Sequence, residues 1–460
     1  MPILAAFAVP HPPIMRPEIG RGEERGMQKT IDAYREAMRR AAAFRPDTVV
    51  LTTPHSVMYS DYFHISPGPS AEGDFSDFRA PRLKLSARYD EEFVRALAGL
   101  CDRERLPAGT LGEKRARLDH GTMLPLLALG ELWTDYKVVR VSLSGLSPAE
   151  HYRLGTFIAR TSDALGRRTV VIASGDLSHK LKEDGPYGFA PEGPAFDRLT
   201  TDALAKADFL SLLSMDPDLC EAAGECGLRS FWIMAGALDQ RAVKPELLSY
   251  EGPFGVGYAV ASFDVLGPDP ARDVGARFEA RRREEMTARR AMEDAHVRLA
   301  RLSLETYVTT GRTAELPDGL PDELLHTRAG AFVSLHKHGA LRGCIGTIEP
   351  VQKNLAMEIV KNAVSASRDP RFDPVGPEEL PDIVYSVDVL GAPEPIRSEK
   401  ELDVKRYGVI VTDGPRRGLL LPDLPGVSTP HEQVEIARKK AGIGPNAKLM
   451  LSRFEVVRHA

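Results

Sequence analysis

Ile3-Leu4-Ala5-Ala6-Phe7-Ala8-Val9-Pro10-His11 opens the chain with an unbroken apolar run that stops on a proline and a histidine. Seven apolar residues without a polar break read as a strand, and the proline stiffens the turn that carries His11. The same grammar recurs twice: Thr48–Thr53 runs into Pro54-His55, and 169–173 runs into Ser174-Gly175-Asp176-Leu177-Ser178-His179. Two further runs, 136–142 and 256–265, read as strands. Met27, Ile31, Tyr34, Met38 and Ala42 recur at steps of three and four, which predicts a helix with one buried stripe. Ser147-Pro148-Ala149-Glu150 is a capping box with proline at the first helical position, so another helix starts there and runs toward Leu165. Strands alternating with helices predict an α/β N-terminal domain, a central sheet with helices on both faces.

A chain of 460 residues has room for more than one core, and two domains is the expectation. The formal charge of −5 gives no basic field, so nucleic acid is not expected as a partner. No stretch approaches the length of apolar sequence a membrane span needs, and the apolar start lacks the basic region of a signal peptide. A cytoplasmic protein without membrane attachment is expected. Cys101, Cys220, Cys226 and Cys344 are too scattered for a disulfide framework or a structural zinc site, so they are expected as reduced thiols. Cys220 and Cys226 read as structural.

Gly267-Pro268-Asp269-Pro270 breaks the pattern and marks a boundary. The expected layout is a metal-dependent domain over 1–267, a linker over 268–284 and a second domain over 285–460. In the arginine-rich stretch 277–301, Ala288, Met292, Ala295, Leu299 and Leu302 keep a helical step, which predicts a helix packed by its apolar stripe; Glu279, Glu284 and Glu285 dilute its charge. Beyond Gly311 come short strands at 331–336, 384–390, 408–412, 418–421 and 448–457, with helices from 352 to about 367 and over 430–441. This predicts a smaller α+β C-terminal domain.

Ligand sites of open α/β sheets collect at the carboxyl ends of strands, so His11, His55 and His179 can converge although they are far apart in sequence. Two imidazoles and one carboxylate would leave three positions open on an octahedral ferrous ion. Glu251, in Ser249-Tyr250-Glu251-Gly252-Pro253-Phe254-Gly255, is the best-placed carboxylate; the alternative is a solvated loop glutamate. A histidine near its ordinary pKa, as His179 would be, can take a proton and return it.

Pro10-His11-Pro12-Pro13, Thr53-Pro54-His55-Ser56, Leu118-Asp119-His120-Gly121-Thr122-Met123-Leu124-Pro125-Leu126, Ser174-Gly175-Asp176-Leu177-Ser178-His179 and the Glu251 turn resemble the catalytic subunit of LigB-type class III extradiol dioxygenases. The Memo family shares that skeleton, and the resemblance runs from residue 2 to about 265. It implies His11, His55 and Glu251 as metal ligands, His179 as the acid/base residue, His120 bordering the substrate pocket, and Asp176 beside the site. Memo proteins carry a cysteine at the third ligand position, and Glu251 here sides with the oxygenases, so the implied cofactor is a divalent metal, Fe(II) before Zn or Cu. The expected activity is that of a non-haem dioxygenase on a small, oxygen-rich substrate. A lyase or hydrolase on the same scaffold, or a metal-containing binding or redox module, are the alternatives.

In the second half, Leu341-Arg342-Gly343-Cys344-Ile345-Gly346 sets an arginine and a cysteine among glycines, which reads either as a buried cysteine in a tight turn or as a reactive one. With Ser367-Arg368-Asp369-Pro370-Arg371-Phe372, Glu379-Leu380-Pro381-Asp382-Ile383, Tyr407-Gly408-Val409 and Gly418-Leu419-Leu420-Leu421-Pro422, it resembles the AMMECR domain over about 285 to 458. Arg342 and Cys344 are its candidate residues. The fused layout resembles the combined component of a system of AMMECR, Memo-like and radical SAM proteins, which implies a radical SAM partner; a homodimer is also open. His336 and His338 are expected on one strand face, and His431 reads as structural.

Overall fold

The computed structural model describes residues 2–114, 117–424 and 426–460; Met1, at the head of the apolar N-terminal run, lies outside them. The chain divides into two units, residues 1–281 and 282–460.

The first unit is built on a six-stranded sheet in the order Lys137–Ser142, Thr48–Thr53, Thr169–Ser174, Ile3–Val9, Tyr258–Pro268, Arg241–Glu251. The first four strands are parallel; Tyr258–Pro268 pairs antiparallel with Ile3–Val9, and Arg241–Glu251 pairs antiparallel with Tyr258–Pro268. Thr48–Thr53 and Thr169–Ser174 are buried at every residue, because apolar clusters cover both sheet faces. Register aligns the strand ends: Val9 pairs with Ser174 and Thr52 with Ala173, so the turns carrying His11, His55 and Asp176 leave the sheet at one level. The predicted helices form at Gln28–Ala43 and Pro148–Leu165, the latter with its capping box. Arg241–Glu251 is a strand that the sequence pattern did not announce, because an edge strand with Pro245 is not apolar enough to stand out.

The stretch expected as a linker is ordered structure. A short 3-10 turn, Pro270–Arg272, leads into the helix Val274–Met292, and the boundary between the units falls inside that helix. Past Gly275 the segment is rich in alanine, arginine and glutamate, which favour helix, and Val274 and Phe278 are buried in the first unit's core. The single helical stripe expected through residue 302 is interrupted. Asp294 accepts the backbone N–H groups of His296 and Val297 and starts a new helix, Ala295–Thr310, which leaves Met292 exposed.

The second unit is α+β. Its antiparallel sheet runs Ala340–Gly346, Ala331–Lys337, Ile383–Leu390, Met450–His459, Tyr407–Asp413, Arg416–Leu420, with Glu394–Ile396 beside Met450–His459. Helices Ala295–Thr310 and Leu355–Ala366 share a core with the first three strands, and Pro430–Lys440 packs on the Tyr407–Leu420 hairpin. Among the described residues no helix is long and apolar enough to cross a membrane.

Candidate metal centre

His11 leaves the Ile3–Val9 strand into a buried turn, where its backbone N–H donates to Asp176 Oδ1 at 2.8 Å. Its Nδ1 lies 2.9 Å from Ser174 Oγ, and the Ser174 hydroxyl donates to the Gly121 carbonyl at 2.8 Å. With its one proton given to that carbonyl, Ser174 must accept from His11 Nδ1–H, which leaves a lone pair on His11 Nε2. That lone pair faces His55 Nε2 at 3.0 Å, and Cys226 Sγ stands 3.7 Å from it. His11, His55 and Cys226 form a group whose donor atoms all lie within 4.8 Å of one another.

Two imidazole nitrogens and a sulfur this close repel unless a cation or proton lies between them. Ligands of a tetrahedral ion at about 2.0–2.3 Å have the same order of separation, so the donor set fits a metal. Without one, burial and the neighbouring His55 push the His11 pKa down to about 3, and burial with Asp176 nearby holds the Cys226 thiol protonated. A bound cation would reverse the second effect.

Cys226, which the sequence reads as structural, carries the donor atom that lies with those of the two histidines. It sits ahead of the helix Leu228–Ala237 in a loop pressed against the Ser174–Asp176 turn. The Asp176 N–H points to its sulfur at 3.3 Å, and a Cβ on Gly175 would lie 2.2 Å from Gly227 Cα. Only glycine at 175 allows that approach. The available signal was the string Glu225-Cys226-Gly227 before an apolar helix, together with the cysteine known in Memo proteins.

Glu251, expected as the third ligand, is engaged elsewhere. It pairs with Tyr258 at the open edge of the sheet, and its Oε1 accepts from both the backbone N–H and the hydroxyl of Thr30, each at 2.7 Å. It caps the first turn of Gln28–Ala43, where free N–H groups and the helix dipole favour a carboxylate. The strand Tyr258–Pro268 separates it from the strand that delivers His11, and it is absent from the donor group.

The remaining predicted residues surround the donors. The His120 ring lies 4.0 Å from that of His55 and 5.4 Å from that of His11, and burial beside them lowers its pKa to about 3. Asp176 is buried, which raises its pKa to about 6 against the His11 N–H bond. His179 is no member of the donor group; its Nε2 is buried without a partner, its ring lies 5.0 Å from that of Tyr187, and burial lowers its pKa. Behind the site Asp119 accepts from Thr53 Oγ1 and from the N–H and hydroxyl of Thr122, tying the His120–Gly130 helix to the strand that delivers His55. The fully buried Arg140 stands 4.0 Å from it.

In the second unit Cys344 lines a cavity of about 1010 Å³. Arg342 turns to Glu379 in a two-pronged ion pair, with Lys337 on the same carboxylate, so its charge is satisfied there. Gly343 is required because a Cβ would meet the Ala366 carbonyl at 2.4 Å, which is crowding and not positive φ. His336 and His338 do not share a strand face: the strand ends at Lys337 and His338 sits in the turn at φ 54°. A second His/Asp group, Asp294, His296 and His459, is accounted for as the helix cap described above, with His459 hydrogen-bonded to Asp294.

Residues 5–261 match the family described as catalytic LigB subunit of aromatic ring-opening dioxygenase, and residues 297–459 match AMMECR1. Protein CA_C1420 of Clostridium acetobutylicum is 41% identical over 462 residues, 98% of each chain. A protein of Thermotoga maritima is 52% identical over 170 residues, 36% of this chain and 98% of its own. The crystal structure of the uncharacterized protein PH0010 from Pyrococcus horikoshii is 34% identical, covers 35% of this chain and 88% of its own, and has a TM-score of 0.34.

Proposed function

The chain belongs to the LigB family and carries an AMMECR1 domain behind its LigB domain, and from that premise we propose that its first unit is a metal-dependent enzyme whose ion is held by His11, His55 and Cys226. The observation that carries this is the bare His11 Nε2, fixed by Ser174 and aimed at His55 Nε2 and Cys226 Sγ. A thiolate in place of a carboxylate shifts the preference from ferrous iron toward a softer ion, copper or zinc. When bound, the ion would supply a Lewis-acid or redox centre for a small, oxygen-rich substrate in dioxygenase-like chemistry.

The chain's own groups do the rest. His55 is exposed, so the site is open on its side. His179, neutral and with a free Nε2, takes a proton from a substrate hydroxyl and returns it later. Asp176 holds the His11 backbone, and Asp119 holds the His55 and His120 segments in register. The partnership with a radical SAM protein belongs to this proposal and rests on the resemblance of the fused layout.

Protein purified without oxygen and loaded with Co(II) tests the donor set. Wild type should show thiolate-to-cobalt charge transfer; Cys226→Ser should lose that band, and Glu251→Gln should keep it. Cobalt that binds wild type without that band, and whose binding is lost in Glu251→Gln but kept in Cys226→Ser, would return the site to two histidines and a carboxylate.

A further inference from the structure

The cavity in the second unit is floored by the outward faces of three strands, with Phe332, His336 and Val384 around a rung of small polar residues. Ser334 pairs across the sheet with Cys344 on one side and with Ser386 on the other, so one rung presents Cys344, Ser334 and Ser386. Ser334 Oγ donates to Cys344 Sγ at 3.1 Å. Cys344 lies on the edge strand, and its outward backbone groups are clamped: its N–H donates to Asp369 Oδ2 at 2.9 Å and its carbonyl accepts from Arg371 Nη2 at 3.3 Å. The thiol is therefore held in place on the cavity floor.

Leu341, Leu419, Leu421 and Leu424 give the walls an apolar character. Charge distinguishes the rim. Arg371 is paired with Asp369 and Arg458 with Asp388, while Arg289 and Lys440, which also line the cavity, have no ion-pair partner among the described residues. Lining of this kind, apolar walls with a few convergent polar groups and two cations outside any ion pair, suits a ligand with a carbon body and an acidic head.

We propose that this cavity is a binding site for a small amphipathic carboxylate, whose apolar body lies over the Cys344–Ser334–Ser386 rung and whose acid group is held at Arg289 and Lys440. The site stands independently of the metal centre.

The test uses the full chain, with alkylation of each cysteine followed by peptide mass spectrometry. Cys344 should react with iodoacetate faster, relative to iodoacetamide, than Cys220 does in the same molecule. Decanoate should protect Cys344 at concentrations where decanol does not. Lys440→Met and Arg289→Met should each erase the iodoacetate preference and raise the protecting concentration of decanoate about tenfold, the loss of one charge-assisted contact. Ser386→Leu, which fills the floor, should abolish protection; if it fails to fold, the two rim variants still decide. Equal protection by decanol and decanoate, or an iodoacetate preference that survives both rim substitutions, would overturn the proposal.

Discussion

Ser174 shows how one hydroxyl decides a site. Because its proton goes to the Gly121 carbonyl, it can only accept from His11, and the imidazole is locked with Nε2 bare. Ser174→Ala should leave the fold intact and weaken metal binding about 10- to 100-fold, the usual cost of losing a partner behind a ligating histidine, measured by competition with a chelator. If its Nε2 serves substrate as proposed, His179→Ala should abolish turnover with metal content near wild type; equal metal loss in His179→Ala and His55→Ala would make it a ligand. Cys226 stands beside the two histidines and Glu251 stands apart from them, against a sequence expectation that differed for one reason. Sequence ranks residues by type and local turn, and a carboxylate in a glycine-rich turn looks more functional than a cysteine before an apolar helix.

At the scale of elements, the Cys226 loop is placed by the helix behind it. Leu228–Ala237 crosses Pro148–Leu165 so closely that a Cβ on Gly155 would lie 2.0 Å from the Ile233 carbonyl oxygen, and one on Gly236 would lie 1.9 Å from that of Tyr152. Gly155→Ala should destabilise the first unit by about 3 kcal/mol and reduce metal occupancy, because the helices must part to admit the methyl group. Urea unfolding and metal analysis of the variant check both. The same crossing buries His151, whose Nδ1–H donates to the Ser147 carbonyl and whose ring packs against Phe63 and Trp232. Burial lowers its pKa from 6.5 to about 3. Between those values the unfolded chain binds a proton here and the folded chain does not, so the contribution is complete above about pH 6.5 and fades as pH falls. Wild type should lose stability between pH 6 and 4 more steeply than His151→Gln, by up to about 1.4 kcal/mol per pH unit. Parallel slopes would show that His151 titrates normally.

Among the described residues of the whole molecule, each apolar cluster lies within one unit: two within the first 281 residues and three within the remainder. Both tryptophans, Trp133 and Trp232, belong to the first. Tryptophan fluorescence should therefore follow the first unit alone, and adding metal should raise its midpoint while leaving a second calorimetric transition in place, since a ligand stabilises only the fold that binds it. A midpoint unmoved by saturating metal would count against the His11/His55/Cys226 centre. Immobilised full chain should retain a radical SAM protein from a cell that encodes both, and a tagged Cys226→Ser control shows whether the metal centre takes part.

The strand runs, their polar ends and the α/β and α+β textures were legible in the sequence because each depends on local pattern: apolar length, helical step, proline and glycine at the turns. Delivery of His11 and His55 to one level followed from the rule that parallel strands end together. What only the tertiary structure decided was contact between segments far apart in the chain. Thr30 claims Glu251 across 221 positions, Gly175 and Gly227 press together so that Cys226 reaches His11, and Glu379 takes the charge of Arg342. Each of these is a choice among partners competing for one polar group, and such competition is settled by distance and packing, which residue type and spacing do not encode.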